Sequence, residues 1–203
     1  IDSYADQAIA LLDHLGEQQA VLGGISLGAN VSLFAAARYP ERVRGLLLEM
    51  PVLERAVPAS AIVFVPMILA AYYGRPVLRV TSSIVSRLPR TRFGPLNSVL
   101  NTASLNPRTM AAVLHGVLVG PVAPTRAQRR SITAPALVLG HRNDFIHPFN
   151  DALGLVAQLQ HAELVQAHSL LELRLRPERL TGEIVGFLAE LQDAPPRRKR
   201  KPA

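Results

Sequence analysis

The sequence predicts an α/β protein, a mostly parallel sheet with flanking helices, interrupted by an inserted helical subdomain. Three observations lead there. Short apolar runs alternate with segments of helical periodicity, as expected for parallel strands covered on both faces. The run ending near Gly23 passes through Gly24-Ile25-Ser26-Leu27-Gly28 into a helical pattern, the strand–turn–helix context in which G-x-S-x-G carries chemistry. From Met50 to about Ser131 the alternation lapses into proline-punctuated, helix-like sequence too long for an ordinary crossover.

The elements follow in order. Ala5, Ile9, Leu12 and Leu15 recur at helical spacing, Ser3 to Asp6 resembles a capping box, and Gly16 supplies a stop. Residues 19–23 form a short buried strand. Leu27 to Tyr39 is a helix of small and apolar residues, closed by Pro40. Val43 to Leu48 reads as a strand buried on both faces. Within the insertion, Ser60 to Tyr73, Pro76 to Leu88 and Pro107 to Val119 look helical, the last with Asn106 as its cap and Pro107 at its first position. The alternation then resumes: strand Ala136 to Gly140, helix Asn150 to Leu159, strand Glu163 to Ala167, and an amphipathic helix Pro177 to Leu191. The expected organisation is a core part at 1–52, a helical insertion at 53–131, a second core part at 132–193, and a basic, disordered tail at 194–203.

Composition narrows the class. With 203 residues, nearly half of them apolar, the chain is long enough for one sizeable core. It has no cysteine, which removes disulfides, thiolate metal sites and a cysteine nucleophile. The net charge of +7 owes five charges to the run from Arg197 to Lys201, which reads as a solvated end without specific nucleic-acid binding. The most apolar stretch, Val57 to Tyr73, is broken by Pro58, Ser60 and Pro66, so no membrane span is expected. No signal peptide is visible, which points to a cytoplasmic location, although a chain opening on Ile1 invites an upstream segment.

In parallel sheets the working groups sit on loops at the carboxyl ends of strands. Three such loops hold suitable side chains. The first is the turn carrying Ser26, where a glycine at 24 and at 28 gives room for a sharp turn and the Leu27 backbone N–H lies at a helix start, where a developing anion is favoured. The second, His141 to Pro148, offers Asp144 as an acid. The third begins His168-Ser169 and offers a base. A serine hydroxyl needs an imidazole to take its proton, and the imidazole needs a carboxylate to fix its tautomer. Glu49, closing a strand, is a rival acid, and His147 and His141 are weaker base candidates. No cofactor is expected: there is no phosphate loop, no G-x-G-x-x-G and no ligand cluster for a metal.

With these segments in hand, the chain resembles the α/β-hydrolase superfamily, and within it the serine esterase-like members with a helical cap. The resemblance is carried by residues 21–28, Tyr39-Pro40-Glu41-Arg42-Val43, the run from Ile132 to Gly140, and the Asp144 loop. It implies Ser26 as nucleophile, Asp144 as acid and His168 as base, in the chain order of that family, with the Leu27 N–H as one oxyanion donor. It also implies further strands ahead of the opening helix, one of whose loops supplies a second donor. Nothing here matches them, so the sheet is expected to be incomplete on its N-terminal side and the chain to be a partial one. The function implied is hydrolysis of a carboxylic ester or related acyl bond through an acyl-enzyme on Ser26, with a small hydrophobic acyl substrate. The alternative is a protein of the same fold that acts by binding only.

Overall fold

The computed structural model describes residues 1–193, apart from the side chains of Asp2 and Pro95. The tail expected at 194–203 lies outside them. Four parallel strands form one sheet in the order β1 (Ala20–Ile25), β2 (Val43–Glu49), β3 (Ala136–His141) and β4 (Ala162–Ala167). The register pairs Ile25 with Glu49, Glu49 with Leu139, and His141 with Ala167, so the strands end at one rim. The segments after β1, β3 and β4, picked out by the sequence for their chemistry, leave the sheet from that rim.

Strand periodicity sorts the core onto two faces. Ala136 and Val138 of β3, with Val43, Leu46 and Leu48 of β2, pack under the helices α1 (Asp2–Leu15), α2 (Leu27–Arg38) and, beyond β3, Phe149–Val156. Leu137 and Leu139 point the other way, onto Leu180, Phe187 and Leu191 of the C-terminal helix Glu178–Asp193. Every residue of β3 is buried, which accounts for its unbroken apolar run. Gly16 ends α1 at φ 73°, as its left-handed C-cap. The expected capping box is not formed: Ser3 already lies inside α1, whose N-cap is Ile1 without a side-chain hydrogen bond.

Between β2 and β3 the chain runs through α3 (Ala56–Tyr73), α4 (Arg75–Ser86), α5 (Gly94–Ala103), α6 (Pro107–Val119) and α7 (Arg126–Ser131). Residues 57–120 form a compact unit of their own, a narrower span than the 53–131 expected, because 53–56 and 121–131 belong to the sheet-bearing unit. Asn30 explains part of that difference. Fully buried in α2, its amide donates to the carbonyls of Val52 and Val122 at 2.7 and 2.6 Å and accepts from the Val52 N–H at 3.2 Å. Both ends of the excursion are thereby fastened to the same helix. Asp151 adds a second fastening, accepting from the backbone N–H groups of Arg55 and Ala56 at the start of α3. Burial raises the Asp151 carboxyl above its ordinary range; these two bonds oppose that rise, and Glu54 nearby adds to it. Asn106 caps α6 as expected, accepting from Arg108 N–H at 2.9 Å. Three helices were not marked in the sequence. The segment forming α5 opens on Gly-Pro and mixes polar with apolar residues, and α7 is only six residues long, held by a Thr125–Gln128 capping box. The third, α9 (Glu172–Leu175), is a single turn between β4 and the last helix, and in α8 (Phe149–Val156) and α10 (Glu178–Asp193) the boundaries differ from the sequence reading by a few residues.

Replacing Asn30 by Leu should strand three buried backbone groups at once. We expect a loss of about 2–4 kcal/mol of stability, read as a lower urea midpoint with an unchanged slope.

Candidate active site

The turn after β1 is built by backbone constraint. Ser26 sits at φ 54°, ψ −113°, a region that few non-glycine residues occupy. Its N–H donates to Glu49 O at 2.8 Å, the last rung between β1 and β2, and α2 starts at the next residue. Gly24 is obligatory: a Cβ there would lie 2.5 Å from the Gly28 carbonyl carbon. The same space was expected to be needed at Gly28, but a Cβ on Gly28 would meet nothing within 4 Å. It is the backbone of residue 28, lying over residue 24, that restricts the turn. The Leu27 N–H opens α2, where a helix supplies no acceptor of its own.

The partner of Ser26 is His147. Ser26 Oγ lies 2.8 Å from His147 Nε2, and His147 Nδ1 lies 2.8 Å from Asp144 Oδ2. The two contacts fix the tautomer: Nδ1–H donates to the carboxylate, leaving Nε2 to accept from the hydroxyl. Asp144 shapes the loop that achieves this. Its Oδ1 accepts from the backbone N–H groups of Ile146 and His147 at 2.8 and 2.9 Å, turning the chain back so that residue 147 reaches the other oxygen of the same carboxylate. The His147 and Asp144 side chains are 14% and 8% exposed, enough burial to strengthen the pair. Burial pushes the Asp144 carboxyl up, but hydrogen bonds from the His147 ring and from the two N–H groups prevail and hold it below its ordinary range.

Of the residues marked in the sequence, the structure therefore brings Ser26 and Asp144 together, through a different histidine. His168, expected as the base, is not bonded to Ser26. Its side chain is 74% exposed and its Nδ1 lies 3.8 Å from Glu172 Oε1. The reason is local: the His168 N–H donates to the Glu172 carboxylate, which Arg179 also holds at 2.8 Å, and this turn sends the imidazole outward. The signal for His147 was present in the sequence as an aspartate three residues ahead of it, with Pro148 ending the turn.

Glu49, the rival acid, is committed elsewhere. It is 3% exposed and receives Arg174 through two bonds, at 2.6 and 3.1 Å, while His141 Nε2 lies 3.2 Å from its Oε1. His141 Nδ1 faces the Ser169 carbonyl at 3.0 Å. Both ring nitrogens thus face oxygens that only accept. Burial raises the Glu49 carboxyl, yet the bonds from His141 and Arg174 outweigh it and leave the group below its ordinary range. The network ties the ends of β2 and β3 to the segment that follows β4. Among the described residues no cluster of three or more potential metal ligands occurs.

A strand–turn–helix that presents a serine at the carboxyl rim of a parallel sheet, with histidine and aspartate from a later loop beside it, defines an α/β-hydrolase type of protein. The comparisons agree: the model of the alpha/beta hydrolase fold family matches residues 1–169, and the chain belongs to that family. No curated protein matches it in sequence. Among solved structures it resembles a thermophilic esterase from Thermogutta terrifontis, at 22% identity and TM-score 0.63, over 92% of this chain and 71% of that one. It also resembles the 2-hydroxy-6-oxo-6-phenylhexa-2,4-dienoate hydrolase of Rhodococcus sp. strain RHA1, at 20% identity and TM-score 0.69, over 91% and 69%. A third is the enol-lactonase of Burkholderia xenovorans LB400, at 19% identity and TM-score 0.65, over 91% and 71%. At these identities the likeness is one of fold.

Glu49 and Asp144 both hold protons less readily in the folded chain than in the unfolded one. Their stabilisation is complete above the ordinary carboxylate range and is lost as pH falls from that range through their lower folded-state values. The urea midpoint should accordingly drop between about pH 5 and pH 3. The drop should be shallower in Asp144→Asn, whose side chain no longer titrates.

Proposed function

We propose that the protein is a serine hydrolase that cleaves a carboxylic ester or a related acyl bond, with Ser26 as nucleophile, His147 as base and Asp144 as the acid that orients it. The observation that carries this reading is the Ser26–His147–Asp144 relay, two contacts of 2.8 Å in series. In the reaction, Ser26 Oγ attacks the acyl carbon while its proton passes to His147 Nε2. Asp144 stabilises the imidazolium that forms. The Leu27 N–H donates to the carbonyl oxygen as it gains charge, a type of contact worth about 3 kcal/mol where it has been removed. The imidazolium then gives its proton to the departing alcohol, and the ester on Ser26 remains. Water, deprotonated by His147, attacks that ester, and collapse of the second tetrahedral species returns the proton to Ser26 Oγ and frees the acid.

A small apolar acyl group suits the surroundings. Ile25 and Phe145, next in sequence to Ser26 and Asp144, are both exposed large apolar side chains, and neither packs into the core. No cofactor enters any step.

Rapid mixing with p-nitrophenyl acetate tests the proposal. We expect a burst approaching one p-nitrophenolate per chain, with the acetyl group found by mass on Ser26. Ser26→Ala should abolish both, and Asp144→Asn should slow turnover by about four orders of magnitude. Undiminished turnover in Ser26→Ala would refute the proposal.

A further inference from the structure

The unit formed by residues 57–120 has a charge pattern unlike the rest of the chain. It contains six arginines, at 75, 79, 87, 90, 92 and 108, and no aspartate or glutamate. Residues 1–56 and 121–196, by contrast, carry eleven arginines against fifteen carboxylates. The six therefore have no carboxylate within their own unit, and no ion pair to any of them occurs among the described residues.

The same unit turns apolar side chains outward. On α3, Ile62, Val65, Leu69 and Tyr73 are exposed at intervals of three and four, one face of a helix. Helical hydrogen bonding continues across Gly74, whose N–H donates to Ala70 O while its own carbonyl accepts from Leu78 N–H. The stripe consequently resumes on α4 as Val77, Val80 and Ile84, all exposed. No residue of α4 is buried; Arg79 and Ser86 occupy the side opposite the stripe. Where α3 meets α4, exposed Tyr72 stacks edge-on against Tyr73, and the Arg75 guanidinium sits 5.7 Å over the Tyr72 ring. An apolar stripe backed by a polar, arginine-bearing face and marked by tyrosines is the make-up of a helix that lies in a membrane interface.

We propose that this unit docks on an anionic phospholipid surface, with the outward stripe of α3 and α4 in the acyl boundary and its arginines on lipid phosphates. Charge selects the occupant. A second copy of the unit would set six arginines against six, and nucleic acid would match the charge while leaving the apolar stripe in water. The inference does not depend on the esterase reading. Among the described residues α3 alone is long and apolar enough to cross a bilayer by length and composition. The charge-bearing side of α4, on which Arg79 is exposed, favours lying along the surface over crossing it.

The test is co-sedimentation of the full chain with phosphatidylcholine vesicles containing one-third phosphatidylglycerol. Binding is expected to the mixed vesicles, to be weaker by tenfold or more on pure phosphatidylcholine, and to fall with salt. Val80→Asp with Ile84→Asp should abolish it, and Arg79→Gln with Arg87→Gln should weaken it about twentyfold. These positions are exposed, so circular dichroism should be unchanged. A chain ending at Asp193 should bind as the full chain does. Four results would overturn the proposal: no binding by folded protein, binding lost with the tail but kept in the stripe variant, binding that resists carbonate extraction as a span does, or binding to a DNA duplex in place of vesicles.

Discussion

One buried carboxylate, that of Glu49, holds the working end of the sheet together. Its backbone carbonyl receives the Ser26 N–H and closes the β1–β2 ladder, while its side chain receives Arg174 and faces His141. A lone carboxylate at this depth would be driven to protonate. Here two cationic or proton-bearing partners from distant parts of the chain keep it ionised, and in doing so they fix three strand ends relative to one another. Removing one partner would leave an uncompensated charge in the interior, which costs several kcal/mol. The rim on which Ser26, the Asp144 loop and the His168 turn all stand depends on that balance.

Asp144 organises the second tier. A single carboxylate accepts two backbone N–H groups and one ring N–H, so the same residue that folds the loop also sets the imidazole. Coupling of this kind makes the relay a property of one short segment plus the serine turn, and little rearrangement is needed to align it.

The parallel sheet and the serine turn were legible in the sequence because each follows from a local requirement. Strands covered on both faces must be apolar throughout, as 43–48 and 136–140 are, and a turn whose backbone crosses itself must place glycine at 24. The choice of histidine was not legible in this way. Chain order favoured His168, but the outcome turns on which carboxylate captures each backbone N–H: Asp144 draws His147 inward, and Glu172 turns His168 out. Likewise Glu49 could be recognised as a candidate acid, yet its partner Arg174 is 125 residues away and only the fold reveals it. The helices of the insertion were harder again. Their outward faces are apolar, so periodicity could not separate a packed side from an exposed one, and in α5 the helical spacing of Leu96, Val99, Leu100 and Ala103 is confined to ten residues that open on Gly-Pro.

The central claim is that Ser26 is activated by His147. The most direct measurement is the rate of phosphonylation by a fluorophosphonate, followed by intact mass, for the parent chain and for Ser26→Ala, His147→Ala and His168→Ala. The account calls for a single adduct that is absent in Ser26→Ala, slowed at least a hundredfold in His147→Ala, and within about threefold of the parent in His168→Ala. Loss of labelling in His168→Ala with His147→Ala unaffected would contradict it.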